Sequence, residues 1–383
     1  LRISFPVLIL PPGIEQPTFD LAKPKPIDQP DRHRPSPPTE ERGDRAIDHP
    51  GTLIVGAGSW GTALANLLAE KGMPTAIWAR ESEVVSTITA ERENALFLPG
   101  VRLAESLVAT GNLTEALAAA GTVVNAVPTQ FIRSTYEPIA GEVRGDHLLI
   151  TVSKGIEVGT LLTSSEIFAD VVGGDPAHAI TALSGPSFAR EVAARHPTAV
   201  VAASRSIAHA RTVRDLFSTP AFRVYSSDDL LSVELGGALK NVVAIAAGIV
   251  EGLRYGSNTT AALIARGLAE IARLGGARGG NPLTFAGLSG LGDLVLTCTG
   301  GLSRNGAVGQ QLGRGKPLDE ILSEMSMVAE GVETTLAAHS LAQQLGVDMP
   351  ITEQVYQVLY EGKDPAAVAA ELMARELKDE RED

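Results

Sequence analysis

The run Thr52-Leu53-Ile54-Val55-Gly56-Ala57-Gly58-Ser59-Trp60-Gly61 leaves this chain few folds to choose from. Its first four residues read as a short buried strand, and Thr62 to Ala69 reads as a helix of small and apolar residues. Between them stands G-x-G-x-x-G in the context that gives the spacing meaning: strand, tight turn, helix. Gly56 permits the turn, Gly58 lets backbone approach a pyrophosphate, and Gly61 lets helix and strand close up. The free N–H groups and partial positive charge at the helix N-terminus would face the phosphates. The plain alternative is a glycine-rich turn with a packing role only.

The pattern then repeats. Residues 75–78, 122–127, 147–152, 179–183, 199–203 and 222–225 read as further strands, and 113–120, 131–143 and 209–217 as helices between them. Alternation of this kind implies a parallel, doubly wound sheet, with loops at the carboxyl ends of its strands facing a ligand. Three such loops carry chemistry. Ala79 and Arg80 follow the second strand, where an NAD-selective site usually has an acid for the ribose 2′-OH. Arg80 would instead pair with a 2′-phosphate, which favours NADP over NAD; otherwise it is a solvated loop cation. Ser153-Lys154-Gly155 aims Lys154 into the crevice, and Ser184-Gly185-Pro186-Ser187 offers exposed backbone and a hydroxyl. Ser187 would bond a substrate, or simply cap the helix that follows.

From about residue 230 the strand signals cease. Residues 233–248 are apolar on nearly every side, with Lys240 and Asn241 next to each other in the middle. Burying an ammonium is costly, so a chain that places Lys240 there uses it, unless the side chain snorkels to water. Further helices are expected over 258–274 and 284–291, and onward to about 375. Asp293, amid apolar neighbours, needs a partner such as Lys240. Ser303-Arg304-Asn305 opens a helix and makes a cradle for an oxyanion or phosphate, or an ordinary cap with an exposed Arg. Glu330 begins a loop-to-helix junction where it would contact a ribose or only cap.

The expected fold class is therefore α/β: a Rossmann-like doubly wound sheet over 51–229, then an all-helical domain over 230–375. Residues 1–50 hold nearly half of the prolines and little periodicity, and read as a disordered leader. A transit peptide would be poor in acids, whereas this segment carries Glu15, Asp20, Asp28 and Asp31. With Leu1 first, the chain reads as a fragment or one with an upstream extension. Residues 376–383 form a charged tail. The net charge of -13 argues against nucleic acid as a partner and is ordinary for a cytoplasmic protein. Cys298, the one cysteine, allows no intrachain disulfide, and the seven scattered His residues suggest no metal site. No apolar run reaches the ~20 residues of a membrane helix. A homodimer is the default expectation for an enzyme of this kind.

Taken together, the chain resembles the bacterial NAD(P)-dependent glycerol-3-phosphate dehydrogenases over about residues 51–372. The motifs that carry the resemblance are Gly56 to Leu64, Ser153-Lys154-Gly155-Ile156-Glu157, Ser184 to Ala189, Leu239-Lys240-Asn241, Gly290 to Leu294, Leu302-Ser303-Arg304-Asn305 and Glu330-Gly331-Val332. They stand in the family's order at family-like spacing. The resemblance implies interconversion of dihydroxyacetone phosphate and sn-glycerol 3-phosphate, a step that supplies glycerophospholipid synthesis, with NADPH/NADP preferred and NADH/NAD possible. It implies cofactor contacts at Ser59, Trp60, Arg80, Lys154, Ala189, Arg304, Val328 and Glu330. It implies substrate contacts at Lys154, Gly185, Ser187, Asp293, Ser303, Arg304 and Asn305, with Lys240 as the acid/base. Gly300-Gly301, Gly306-Ala307 and the proline-rich leader depart from the family pattern. Two other readings stay open: a dehydrogenase of the same architecture acting on a β-hydroxy acid or ketopantoate, and a non-catalytic NADP-binding sensor.

Overall fold

The computed structural model describes residues 51–173, 180–325, 327–374, 376 and 379. The leader, the start of the strand expected at 179 and nearly all of the tail lie outside them. Eight strands form one sheet: β1 (Gly51–Val55), β2 (Thr75–Trp78), β3 (Val108–Thr110), β4 (Ala120–Asn125), β5 (Leu148–Thr151), β6 (Thr181–Ser184), β7 (Thr198–Ser204) and β8 (Phe222–Ser227). Their order is β3-β2-β1-β4-β5-β6-β7-β8. The chain thus starts near the middle and winds out to both sides, as expected of a doubly wound sheet.

Three features differ from the sequence reading. Three-residue β3 is an edge strand paired only with β2, too short to show a pattern. The second difference is direction: β7 runs antiparallel to β6, and β8 is parallel to β7. A parallel return needs a crossover that carries the chain back along the sheet. The helix between β6 and β7, Ala189–Ala193, has five residues, which at about 1.5 Å each cannot do so. The helix expected over 131–143 is likewise broken, into Ile132–Tyr136 and a 3₁₀ stretch Glu137–Glu142 that contains Pro138.

After β8 the chain is helical. Asp229 caps the helix Leu230–Gly252 by accepting from Ser232 N, and the helix is buried almost throughout. Among the described residues it is the one single helix long and apolar enough to cross a membrane, and here it is the axis of the helical core, its apolar stretch buried in protein. Its glycines explain how neighbours come so close. A Cβ on Gly248 would sit 2.1 Å from Gly306 O, and one on Gly252 would sit 2.4 Å from Gln310 O. On the facing helix Arg304–Gly313, a Cβ on Gly309 would sit 2.0 Å from Ile245 O, and one on Gly313 2.5 Å from Ile249 O. Backbone thus meets backbone along this seam, and Gly306, unusual as a sequence feature, belongs to it.

The seam yields a stability prediction. Gly309→Ala forces the two helices apart, and its expected cost lies at or beyond the ~3 kcal/mol end of overpacking, so Tm falls by roughly 6 °C or more. Gly276→Ala, in the exposed part of the helix Ser257–Ala277 with nothing near its Cβ position, should leave Tm unchanged or slightly raised. Thermal unfolding followed by circular dichroism checks both, and equal Tm values for the two variants would contradict the packing account.

Candidate active site

The glycine turn folds as its spacing requires. Gly56 has φ +110°, and a Cβ there would meet Ala126 C at 2.9 Å. A Cβ on Gly61 would lie 2.0 Å from Gly56 O, so helix Ser59–Glu70 can close onto β1 only with glycine there. Gly58 differs: nothing lies within 4 Å of its Cβ position, and it caps the helix without any side-chain bond. The helix N-terminus is therefore open where a pyrophosphate would lie, and these residues fit a dinucleotide. Ser59 Oγ donates to Phe97 O at 2.5 Å and lies 3.2 Å from Met327 Sδ. Trp60 packs towards Phe222 with ring centroids 6.4 Å apart. Arg80, just past β2, is exposed, and its Nη2 pairs with Glu81 Oε1 at 3.1 Å.

The crevice beyond β5 and β6 holds the charged centre. Lys240 is only 6% exposed, so it does not snorkel. Its Nζ donates to Thr297 Oγ1 at 2.7 Å and meets Asp293 Oδ1 at 3.1 Å. From the sheet side Lys154 Nζ reaches Asp293 Oδ2 at 2.7 Å and donates to Gly185 O at 3.1 Å. One buried carboxylate thus bridges two ammoniums. Gly237, one turn before Lys240, leaves room for Ser184, whose Oγ would be 2.7 Å from a Cβ there, with the Lys154 stem in ordinary contact beyond it. Burial pulls the Lys240 ammonium down to about 8, against the pull of Asp293 and with the help of the Lys154 charge. Burial also pushes the neighbouring Cys298 thiol up to about 12. Ser187 Oγ donates to Gly185 O at 2.9 Å, and the following helix is capped by Phe188 without a side-chain bond. Of the two readings of Ser187, the cap is therefore excluded. Ala189 is the first residue of that helix.

A second group adjoins the first. Ser303 caps its helix by accepting from Gly306 N at 3.0 Å, and the exposed Arg304 donates from Nη1 to Val328 O at 3.1 Å. Buried Asn305 accepts from Gly331 N through Oδ1 at 3.0 Å. Glu330 Oε1 accepts from Thr129 N at 2.9 Å, which ties the helix Glu330–Leu345 to the loop after β4, and burial raises its carboxyl above the usual range. Asn241 joins the groups: its Nδ2 donates to Lys154 O at 3.0 Å, and its carbonyl lies 2.8 Å from a Cβ position on Gly331.

The structure brings Lys154, Gly185, Ser187, Lys240 and Asp293 into one cluster and sets Ser303, Arg304, Asn305, Val328 and Glu330 beside it. Arg80 stays apart at the end of β2. Sequence reading missed Thr297, Thr129 and Gly237 as site residues. Gly237 had a signal: glycine inside a helix costs about 1 kcal/mol relative to Ala, so Gly236-Gly237 called for a packing reason. Thr297 had none, because only the fold lays it against Lys240. Among the described residues no cluster of His, Cys, Asp or Glu could hold a metal.

A turn open to a dinucleotide and, in the crevice, a buried lysine paired with a carboxylate fit one class, the nicotinamide-dependent oxidoreductases that act on a CH–OH group. The N-terminal family profile of NAD-dependent glycerol-3-phosphate dehydrogenase matches residues 52–210, and its C-terminal profile matches 229–370. The chain belongs to this family. It is 54% identical over 327 residues to a glycerol-3-phosphate dehydrogenase [NAD(P)+] of Citrifermentans bemidjiense, covering 85% of this chain and 98% of that one. It is 51% identical over 331 residues to one from Geobacillus kaustophilus, covering 86% and 96%. The crystal structure of glycerol-3-phosphate dehydrogenase from Coxiella burnetii superposes with TM-score 0.82 at 39% identity, over 86% of this chain and all of that one. A ketopantoate reductase from Ralstonia eutropha shares the fold alone, at TM-score 0.54 and 14% identity over 83% and 99% of the two chains.

Proposed function

We propose that the chain reduces dihydroxyacetone phosphate to sn-glycerol 3-phosphate, reversibly, with Lys240 as acid/base and NADPH preferred to NADH. The observation that carries this is Lys240 itself, buried at the crevice and held by Asp293 and Thr297 with Lys154 alongside. The nicotinamide, when bound, supplies the hydride. As the ketone is reduced, negative charge grows on its oxygen. The Lys240 ammonium stabilises that charge in a low-dielectric setting and delivers the proton. In the reverse direction neutral Lys240 takes the proton back. Asp293 keeps Lys240 and Lys154 side by side despite their like charges. Arg304 and Asn305, at a helix N-terminus, hold the phosphate, with Ser303, Ser187 and Gly185 completing the pocket. That remote grip orients the ketone. Glu330, Val328 and Ala189 face the cofactor together with Ser59 and Trp60. The sheet over 51–229 is the cofactor domain and the helices over 230–375 supply the catalytic lysine. The product feeds glycerophospholipid synthesis, and the enzyme works in the cytoplasm as a homodimer.

The test is loss of reduced-nicotinamide absorbance with dihydroxyacetone phosphate, run with NADPH and with NADH. Turnover is expected with both, with the higher kcat/KM for NADPH. Arg80→Gln should lower kcat/KM for NADPH by about tenfold, the equivalent of ~1.4 kcal/mol for one charge-assisted contact, and leave NADH within about twofold. No turnover with either nucleotide, in a protein that still binds NADPH, would remove the substrate assignment. Equal losses with both nucleotides in the Arg80 variant would remove the NADP preference.

A further inference from the structure

One buried acid plays no part in the chemistry above. Glu234 lies on the same helix as Lys240, six residues earlier and therefore about 9 Å along the axis, and it is 7% exposed. Its carboxylate reaches across to the sheet side. Oε2 accepts from Thr163 Oγ1 at 3.0 Å and from Ser165 Oγ at 2.5 Å, and Oε1 accepts from Ser165 N at 2.8 Å. Three donors on one buried carboxylate make a directed anchor, since each must be matched in geometry to offset the cost of burial.

What this anchor holds is the far end of the loop that carries Lys154. The loop leaves β5 through Lys154, turns at Gly159, and returns to Thr163, which forms an isolated antiparallel bridge with Ile156. Thr163 is therefore registered two residues from Lys154. Asn241 grips the near end, through Lys154 O. The Lys240 helix thus holds this loop at two points, one residue after the catalytic lysine and six residues before it. The ends of the two lysines meet on the two oxygens of Asp293.

We propose that Glu234 is a positioning residue: by anchoring Thr163 and Ser165 it fixes the Lys154 loop against the Lys240 helix and so sets the spacing of the two ammoniums on Asp293. The inference rests on Lys240 being the acid/base. It touches no substrate and acts only through the loop. Loss of the anchor lets Lys154 move away from Asp293, which changes the field at Lys240 and the orientation of the ketone, while the Gly56–Gly61 turn is untouched.

The test compares Glu234→Ala, Glu234→Gln and Ser165→Ala. Glu234→Gln keeps the shape, and the Thr163 and Ser165 hydroxyls can rotate to suit an amide. Expected for Glu234→Ala is a kcat per folded molecule lowered about 10- to 100-fold, the scale on which a displacement of about 1 Å acts, with the NADPH dissociation constant within about twofold. Glu234→Gln should recover most of the kcat, and Ser165→Ala should lose a few-fold. The titration of Lys240, followed by NMR on 13C-lysine-labelled protein, should shift in Glu234→Ala and not in Glu234→Gln. A kcat per folded molecule within twofold of wild type in Glu234→Ala, or in Ser165→Ala should the alanine variant not fold, would overturn the proposal; a purely structural anchor would lower Tm and leave kcat alone. An inactive wild type would instead overturn the substrate reading, and the Lys240 titration would still decide the role of Glu234.

Discussion

Replacing Lys240 with Met lowers kcat by about 10³-fold or more, the combined scale of proton transfer and charge stabilisation, without loss of stability. The second half of this expectation separates chemistry from folding. Burial depresses the Lys240 ammonium to about 8, below the unfolded value of about 10.4. A depressed group contributes stability that is present above the unfolded value and lost as pH falls through the folded one. At pH 7 the wild-type protein therefore carries the whole penalty of a buried ammonium, and Met, of similar length and apolar, removes it. Asp293 still keeps Lys154 as partner. Calorimetry should show a Tm equal to or above that of wild type, beside near-complete loss of turnover. The same depressed value sets the wild-type pH profile. Ketone reduction needs the ammonium, so its kcat/KM falls as pH rises through about 8. Alcohol oxidation needs the free amine, so its kcat/KM rises over the same range. Profiles that move in the same direction for both reactions would contradict Lys240 as the titrating group.

Asp293→Ala acts in the opposite sense on stability. Asp293 is 2% exposed and is shared by two lysines, one 16% and the other 8% exposed at the side chain. Without it, the buried Lys240 ammonium and the partly buried one of Lys154 face each other with this counter-charge gone. Breaking a buried pair in this way costs about 3–5 kcal/mol, which corresponds to a Tm roughly 10 °C lower. The loss also removes what raises the Lys240 value, so Lys240 titrates below 8 and the ketone-reducing limb moves to lower pH. Denaturant unfolding and the pH profile measure the two effects independently. Asparagine at the same position keeps the bulk but not the charge, and should behave like Ala in the pH profile. An Asp293→Ala protein as stable as wild type would mean that the bridged lysines do not depend on this carboxylate.

Much of this site was legible in the sequence because it uses local rules. The Gly56–Gly61 turn is specified by neighbours in the chain, and each glycine has the place its spacing implied. Lys240 stood out because one ammonium in an apolar helix demands a partner, and Asp293 was the acid placed to answer it. What the sequence did not show is non-local. Lys154 also grips Asp293 because the fold brings together residues 139 positions apart. Thr297 reads as an ordinary helical threonine until Lys240 is laid against it. The reversal of β7 depended on the shortness of one connecting helix, and β3 on pairing at a sheet edge. In both cases the deciding term lies in tertiary packing rather than in the periodicity of any one stretch.

The glycine seam between Leu230–Gly252 and Arg304–Gly313 bears on how such a protein can change over generations. Any replacement of glycine adds atoms, so every single substitution at Gly248, Gly252, Gly309 or Gly313 drives a Cβ into the facing backbone. The two helices can drift only together. One carries the lysine and the other the Ser-Arg-Asn turn, so their relative placement is closed to stepwise mutation. New substrate preferences would have to arise in the loops at the carboxyl ends of the strands, where side chains can be exchanged one at a time.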